Sequence, residues 1–244
     1  TAFGLALSVQ KITAWIEVAS QLAQKEDQLA SVTKSLYKDQ DLVAQGMGFL
    51  RSTANELKIP YVALIDTYGQ FTAAMQGANF GLKETQTIYK NVATASASLG
   101  LTTDKTKAVF LALEQMATKG VISMEELRKQ LGNAMPGAMT AMANAAGTSV
   151  QALTKLISEG KVGANVLLKF SENLKEAFSG DLAEKLKSFQ SNWNDLVNSI
   201  TYAESAFGHA FNDSMIPGVK ALAEALKDPG FQKFSAMIGD IAGT

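Results

Sequence analysis

Residues 115–137 read QMATKGVISMEELRKQLGNAMPG and contain the clearest helix-boundary signals of the chain. Gly120 ends one apolar-periodic stretch, since glycine is the usual residue just past a helix C-terminus. Ser123 and Glu126 follow at the spacing of a capping box, in which each side chain binds a free backbone N–H at the helix start. Pro136 then begins another helix. The segment therefore predicts short helices separated by glycine and proline.

The same pattern continues on both sides of this segment. Pro60 marks a boundary, and apolar residues then recur at helical spacing as far as Met75. We find no convincing run of alternating apolar and polar residues bounded by hairpin turns. The sequence therefore predicts an all-α fold, with a compact multi-helix domain over residues 55–180 flanked by long amphipathic helices over residues 1–54 and 181–244.

The N-terminal segment predicts one long helix from about Phe3 to Leu50. Its apolar residues are spaced 4-3-4 at first, and they shift around the helix further on. A helix of this length has few neighbours in a small domain, so it needs a hairpin mate or a partner chain.

The C-terminal segment carries a heptad seam, with apolar residues spaced alternately by four and three positions. One interpretation is a candidate self-association seam, and the other is an amphipathic helix lying on the domain's own core. After it, Pro217 predicts the start of a final short helix. The seam consists of Leu182, Leu186, Phe189, Trp193, Leu196, Ile200, Ala203, Phe207 and Ala210.

Composition excludes several function classes. The 244 residues include 22 basic and 23 acidic side chains, so the chain as a whole has no electrostatic footprint for nucleic acid or anionic membrane. Without cysteine there is no disulfide, zinc–thiolate site or cysteine nucleophile. His209 is the single histidine, which argues against histidine metal sites and a histidine-dependent triad.

No catalytic, cofactor-binding or metal site is predicted. Glu125 and Glu126 are adjacent, so they diverge by about 100° on a helix and do not form a facing acid–base pair. We interpret both as solvated first-turn carboxylates favoured by the helix dipole. The glycine-rich stretch 77–81 lacks the lysine and the preceding strand of a phosphate-binding loop. We therefore expect no cofactor.

Methionine is concentrated in one part of the chain, where it is compatible with two hypotheses. Five of the nine lie within residues 116–142. Methionine fills gaps in cores, which is the more common role. It also forms adaptable docking surfaces for partners.

Taken together, these motifs resemble the tape measure proteins of long-tailed bacteriophages and prophages. The family pattern has a Q-M-A-S-K-G run, then S-x-E-E-L-R-x-Q-L-G, then L-P-G-A, and the resemblance extends over about residues 55–180. Thr118 and Met135 depart from the pattern, where serine and leucine are usual. The matching positions are Gln115, Met116, Lys119, Gly120, Ser123, Glu126, Leu127, Arg128, Gln130, Leu131, Gly132, Pro136 and Gly137.

The resemblance implies a structural virion protein and not an enzyme. Tape measure proteins lie in the lumen of the tail tube, set tail length during assembly and act in genome ejection. The partners it implies are tube proteins, tail-tip or baseplate proteins and an assembly chaperone, with homo-oligomerisation in the tail and no specific nucleic acid. The location it implies is the virion tail, and the host cytoplasm during assembly.

Two other functions stay open from the sequence. A helical membrane-active or pore-forming module is the alternative, with transient membrane contact during ejection, because the heptad seam makes an amphipathic helix. A wall-degrading hydrolase is the third, although no carboxylate pair supports it. Because the chain begins at Thr1, we expect it to be part of a longer protein. Glycine and proline would interrupt a straight helical rod about every twenty residues. We therefore expect this segment to be a folded docking module near one end of the long helical rod that the resemblance implies for the parent protein.

Overall fold

The computed structural model describes residues 9–38 and 40–227, and it confirms the all-α class. Among these residues the only extended pairing is an isolated antiparallel bridge between Val121 and Gly163. A π-helix spans Glu125–Leu131, and 3₁₀ turns span Ala164–Val166 and Ser179–Asp181. The α-helices are α1 Val9–Tyr37, α2 Gln40–Leu57, α3 Tyr61–Gly77, α4 Leu82–Ser98, α5 Thr103–Lys119, α6 Gly132–Ala134, α7 Ala138–Ala145, α8 Val150–Ser158, α9 Leu167–Phe178, α10 Leu182–Lys185 and α11 Phe189–Lys227.

Contacts divide the chain into two compact units. The larger is Gln24–Thr201, and the smaller combines the described residues up to Ala23 with those from Tyr202 onward. The larger unit includes residues 24–54 and 181–201 as well as the region that the sequence marked as the domain. The boundaries at 54/55 and 180/181 stay predictions.

An aromatic cluster forms the centre of the larger unit. Within it α3 packs mainly on α5, and α4 packs mainly on α9. The rings of Tyr89 and Phe110 stack with centroids 4.0 Å apart, and Phe71 meets Tyr89 edge-on at 5.2 Å. The Tyr89 hydroxyl donates to the Leu64 carbonyl at 2.9 Å, so its polar atom is satisfied in the core.

Charged side chains attach α1 to the rest of the larger unit. Glu26 is 4% exposed, and its Oε1 accepts hydrogen bonds from Arg51 at 2.9 Å and from the Tyr61 hydroxyl at 2.7 Å. Asp66 on α3 bridges Lys25 and Lys107, both at 2.6 Å. The buried carboxylate of Glu26 is stable only with such partners. These interactions therefore fix the position of α1 on α2 and α3.

The smaller unit contains a close helix–helix contact. Gly208 on α11 lies against Ala19 of α1, and a Cβ at Gly208 would overlap the Ala19 carbonyl oxygen and lie 2.7 Å from its carbon. The Ser20 hydroxyl donates to Asn212 at 3.0 Å beside this contact. Only glycine allows backbones to approach this closely.

The helix boundaries differ from the prediction in three places. The predicted helix from Phe3 to Leu50 is instead two, because Lys38 adopts a φ of +54° between α1 and α2; residues 3–8 lie outside the described part. Pro217 does not begin a new helix, since α11 continues through it; a helix can include a proline at the loss of one hydrogen bond. Leu182 and Leu186 are separated from α11 by the break after Lys185.

Candidate interaction surface

The family-motif segment folds as a π-helix over Glu125–Leu131, where a single α-helical stretch was predicted. The N–H of Gly132 donates to the carbonyl of Leu127, five residues earlier, which is the π-helical pattern. A Cβ at Gly132 would lie 3.3 Å from that same carbonyl oxygen. The glycine of the motif is therefore placed where a larger residue would crowd the widened turn.

Glu126 is buried, which corrects the interpretation of both carboxylates as solvated. Its side chain is 2% exposed, whereas Glu125 is exposed. One carboxylate oxygen accepts from Lys119 at 2.5 Å, and the other accepts from the Ser123 hydroxyl. These partners compensate for the burial of the charge, and the hydrogen bond to Glu126 raises the pKa of Lys119. Ser123 and Glu126 thus bind each other, and the predicted capping box does not form.

Most other motif positions serve the fold. Leu127 and Leu131 are completely buried, and so is Met116. Gly137 adopts a φ of +91°, and a Cβ there would lie 3.3 Å from the ring of Phe178. The motif is therefore mainly a structural element that closes the core.

Arg128 and Gln130 are two motif positions whose side chains reach solvent. Arg128 is exposed and Gln130 is partly exposed. Gln115 differs from both, since its Oε1 is buried without a hydrogen-bond partner among the described residues.

The methionine-rich stretch belongs chiefly to the core. Met116, Met135 and Met142 are completely buried, so they cannot form a docking surface. Met124 and Met139 are partly exposed. The core hypothesis is therefore the better description of this stretch.

An open cleft of about 530 Å³ lies beside the turn between α2 and α3. Its charged lining residues are Lys58, Asp104 and Lys185, and the others are apolar, hydroxyl or amide side chains. No facing carboxylate pair lies in it. Across the described ranges no cluster of three His, Cys, Asp or Glu side chains could bind a metal ion. The described residues around this cleft therefore form neither a carboxylate pair nor a metal site.

The inward side of α11 within the larger unit is polar. Asn198 is 1% exposed; its Oδ1 accepts from the N–H of Tyr61 at 2.7 Å, and its Nδ2 donates to the carbonyl of Ile59 at 2.8 Å. Asn194 donates to the carbonyl of Lys58 at 2.9 Å. These amides satisfy backbone groups where one helix ends and the next begins, and such groups lack partners within either helix. Asparagines, not leucines, therefore hold α11 on the domain.

Large apolar side chains of α11 face outward instead. Trp193 and Leu196 are each 51% exposed, and Ile200 is 50% exposed. These three residues form what we call the apolar face of α11. At these three positions the heptad seam does not lie on the domain's own core. The side chain of Phe189 lies outside the described residues, and in the smaller unit Phe207 is 36% exposed.

The two sides of α11 follow from heptad positions. Trp193 and Ile200 occupy positions a, and Leu196 occupies a position d. Asn198 occupies position f, which lies on the opposite side of the helix from a and d. Sequence analysis missed Asn194 and Asn198, although their spacing of four residues on the polar side of the heptad pattern was a usable signal.

Comparison with known proteins gives a consistent result. A family model described as "Tape measure protein" matches residues 13–208. The chain is also 38% identical over 133 residues to a "Probable tape measure protein" of Salmonella phage Felix O1 (isolate Felix O1-VT1), a match that covers 54% of this chain and 18% of the relative. No solved structure matches the chain significantly.

Proposed function

Because this chain belongs to the tape measure protein family, whose members are structural proteins of the phage tail, we propose that it is a folded docking module of such a protein. In this proposal the parent protein acts in tail assembly, tail-length determination and genome ejection. The module binds other tail proteins, namely tube, tail-tip or baseplate proteins or an assembly chaperone. It has no enzymatic activity.

The observation that carries the proposal is the packing of helices that are distant in sequence. α4 lies on α9 across about eighty residues of chain, and Tyr89 and Phe110 stack between helices. A protein segment that sets tail length by its own length extends by about 1.5 Å per residue only while it is one straight helix. A segment folded around its own core does not do so, and a docking role fits it better.

An insertion experiment distinguishes a folded docking module from a straight helical segment that sets tail length. Gly147 lies in an exposed turn with a φ of +65°, and no atom lies within 4 Å of a Cβ built there. Twenty helix-forming residues inserted after Gly147 should leave tail length in electron micrographs unchanged. The same insertion in a straight helical stretch of the parent protein should add about 30 Å. Tails longer by about 30 Å with the Gly147 insertion would contradict the proposal that this segment is a folded docking module.

A membrane-active role is the second candidate, and the apolar face of α11 is the observation that favours it. Between Phe189 and Ala210, however, α11 contains no lysine or arginine, the residues that usually attract such helices to anionic lipid. No helix in the described ranges is long and apolar enough to cross a membrane. Dye leakage from liposomes at micromolar concentrations of the chain would support this role over docking; we expect none.

A further inference from the structure

We infer that the open cleft beside the turn between α2 and α3 binds the carboxylate of a glutamate side chain that a partner protein supplies. The cleft has a volume of about 530 Å³, and the residues that line it belong to the larger unit. The inference rests on the docking role proposed for this chain and names the chemical group that one surface of it binds.

Three helices begin at the wall of this cleft. Pro60 is the N-cap of α3, Thr102 is the N-cap of α5, and Ser188 directly precedes α11. The N–H groups in the first turn of a helix have no partner within that helix. At α5 they include those of Thr103 and Asp104, because the Thr102 hydroxyl accepts only from the third N–H, at 3.4 Å. Such donors at a helix start are suited to bind an anion.

A buried hydroxyl gives separate evidence for a ligand. Ser96 lines the cleft from α4 and is 1% exposed, and its Oγ has no hydrogen-bond partner among the described residues. Burying a hydroxyl group without a partner is unfavourable. A ligand oxygen that accepts from Ser96 would remove this loss, so the hydroxyl is available for binding.

Backbone carbonyl groups at the cleft are already used by the chain itself. Asn194 donates to the carbonyl of Lys58 at 2.9 Å, and the Ser191 hydroxyl donates to the carbonyl of Lys185 at 2.8 Å. These acceptors are therefore occupied, whereas the first N–H groups of α5 and the hydroxyl of Ser96 are donors that lack an acceptor within their own helix. A ligand that supplies acceptor oxygens fits this surface.

The charged residues of the lining favour an anion as well. Lys58 and Lys185 bring two positive charges to the cleft, and Asp104 brings one negative charge. Lys58 also donates to Asn192 at 2.8 Å and lies 3.8 Å from Asp195, so Lys185 is the more available cation. One carboxylate matches this small excess of positive charge. A nucleic-acid backbone would require a longer row of lysine and arginine.

The shape and the apolar part of the lining indicate a side chain of a passing segment. The cleft is open, and Pro60 and Leu101 are partly exposed in its wall. The methylene groups of glutamate can pack on these apolar atoms while its carboxylate reaches the donors. A partner chain can therefore lie across the opening and supply one glutamate without placing a chain end there.

Nuclear magnetic resonance titration of residues 1–244 with N-acetylglutamate N-methylamide tests the inference. The amide signals of Thr103 and Asp104 should shift, with a dissociation constant on the order of 1–10 mM, because a probe of this size makes few contacts. The glutamine analogue of the probe has nearly the same shape without the charge. It should bind at least about fivefold more weakly, since charged hydrogen bonds are the stronger ones.

Two variants and a matched control locate the site. Lys185→Gln should raise the dissociation constant about 2- to 5-fold. Lys187→Gln should leave it unchanged, because Lys187 is also exposed but does not line the cleft. Ser96→Ala should raise it about 2- to 10-fold. The thermal midpoint of Ser96→Ala should not fall, because the hydroxyl has no partner among the described residues.

Several results would overturn the inference. Equal shifts with the glutamate and glutamine probes would show that the cleft does not select a carboxylate, and so would the lack of any shift up to about 50 mM. Stronger binding of N-acetylglycine would identify a C-terminal carboxylate as the occupant, and stronger binding of a short DNA duplex would identify a phosphate. A lower thermal midpoint for Ser96→Ala would show that the hydroxyl already serves the fold.

The tail-length experiment is independent of these measurements. A cleft that binds no carboxylate would leave the insertion after Gly147 with the same expected result, because a docking module can bind its partners through another surface. Longer tails with that insertion would remove the docking role, and the titration would then still report whether the cleft binds the probe. The two failures are therefore distinguishable.

Discussion

Replacing Asn198 with alanine should destabilise the larger unit more than any neighbouring change on α11. The side chain is 1% exposed and satisfies the N–H of Tyr61 and the carbonyl of Ile59 at 2.7 and 2.8 Å, with a weaker contact to Ala54 at 3.5 Å. A buried backbone group left without a partner costs about 1–3 kcal/mol. Two such groups give about 2–4 kcal/mol, because a water molecule can enter the polar space and recover part of the loss.

Urea unfolding monitored by circular dichroism measures this difference. For a chain of this size we expect a loss of about 5–12 °C in the midpoint of a parallel thermal experiment. Amide hydrogen exchange at Tyr61 should also become faster, since its N–H loses its acceptor. Asn192→Ala is the matched control: this exposed side chain accepts from the flexible Lys58 ammonium and donates weakly to the Lys187 carbonyl at 3.5 Å, and its loss should change stability by less than about 0.5 kcal/mol.

Two results would refute the argument that asparagines hold α11. One is a loss of less than about 1 kcal/mol in Asn198→Ala. The other is an equal loss in Asn192→Ala, which would mean that any truncation on this side of α11 has the same effect.

Two further changes test other parts of the structure. Gly208→Ala should destabilise the smaller unit by about 1–3 kcal/mol in thermal unfolding, because its Cβ would overlap the carbonyl of Ala19. Gly48→Ala in an exposed turn of α2 is the control and should stabilise the protein by about 0.5–1 kcal/mol. A Gly208→Ala variant as stable as the natural sequence would contradict the close contact between Gly208 and Ala19. Burial raises the pKa of Tyr68 to about 12 and that of Tyr89 well above its usual value. These two tyrosines should therefore leave the free energy of unfolding unchanged below about pH 10 and lower it as pH rises above 10, where the unfolded chain loses their protons first. Tyr68→Phe should fall less steeply in a pH series of urea unfolding, and an identical slope would refute the assignment.

Most of the helices were predictable because the residues that begin or end a helix lie next to it in the sequence. Gly100 and Gly120 end α4 and α5 in left-handed conformations, as a glycine after an apolar-periodic stretch suggests. The break at Lys38 was not predictable in this way, since a lysine with positive φ has no sequence signature.

The orientation of α11 depends on contacts that no local pattern contains. Hydrophobic periodicity identified the two sides of the helix correctly, but it assumes that the apolar side is the buried one. Here the N–H of Tyr61, 137 residues away in sequence, needs an acceptor, and Asn198 supplies it. Glu126 is a similar case, because its burial depends on Lys119 and Ser123 being within reach of its carboxylate.

The distance in sequence between Tyr61 and Asn198 also has a meaning in time. A ribosome that adds roughly 5–20 residues per second needs about 7–27 s to synthesise the 137 residues between them. Throughout that interval the turn between α2 and α3 lacks the side chain of Asn198. Water must then form the hydrogen bonds to the N–H of Tyr61 and the carbonyl of Ile59. This contact of the larger unit thus forms only when α11 has emerged, so any nascent chain that ends before Asn198 is unfinished in structure as well as in length.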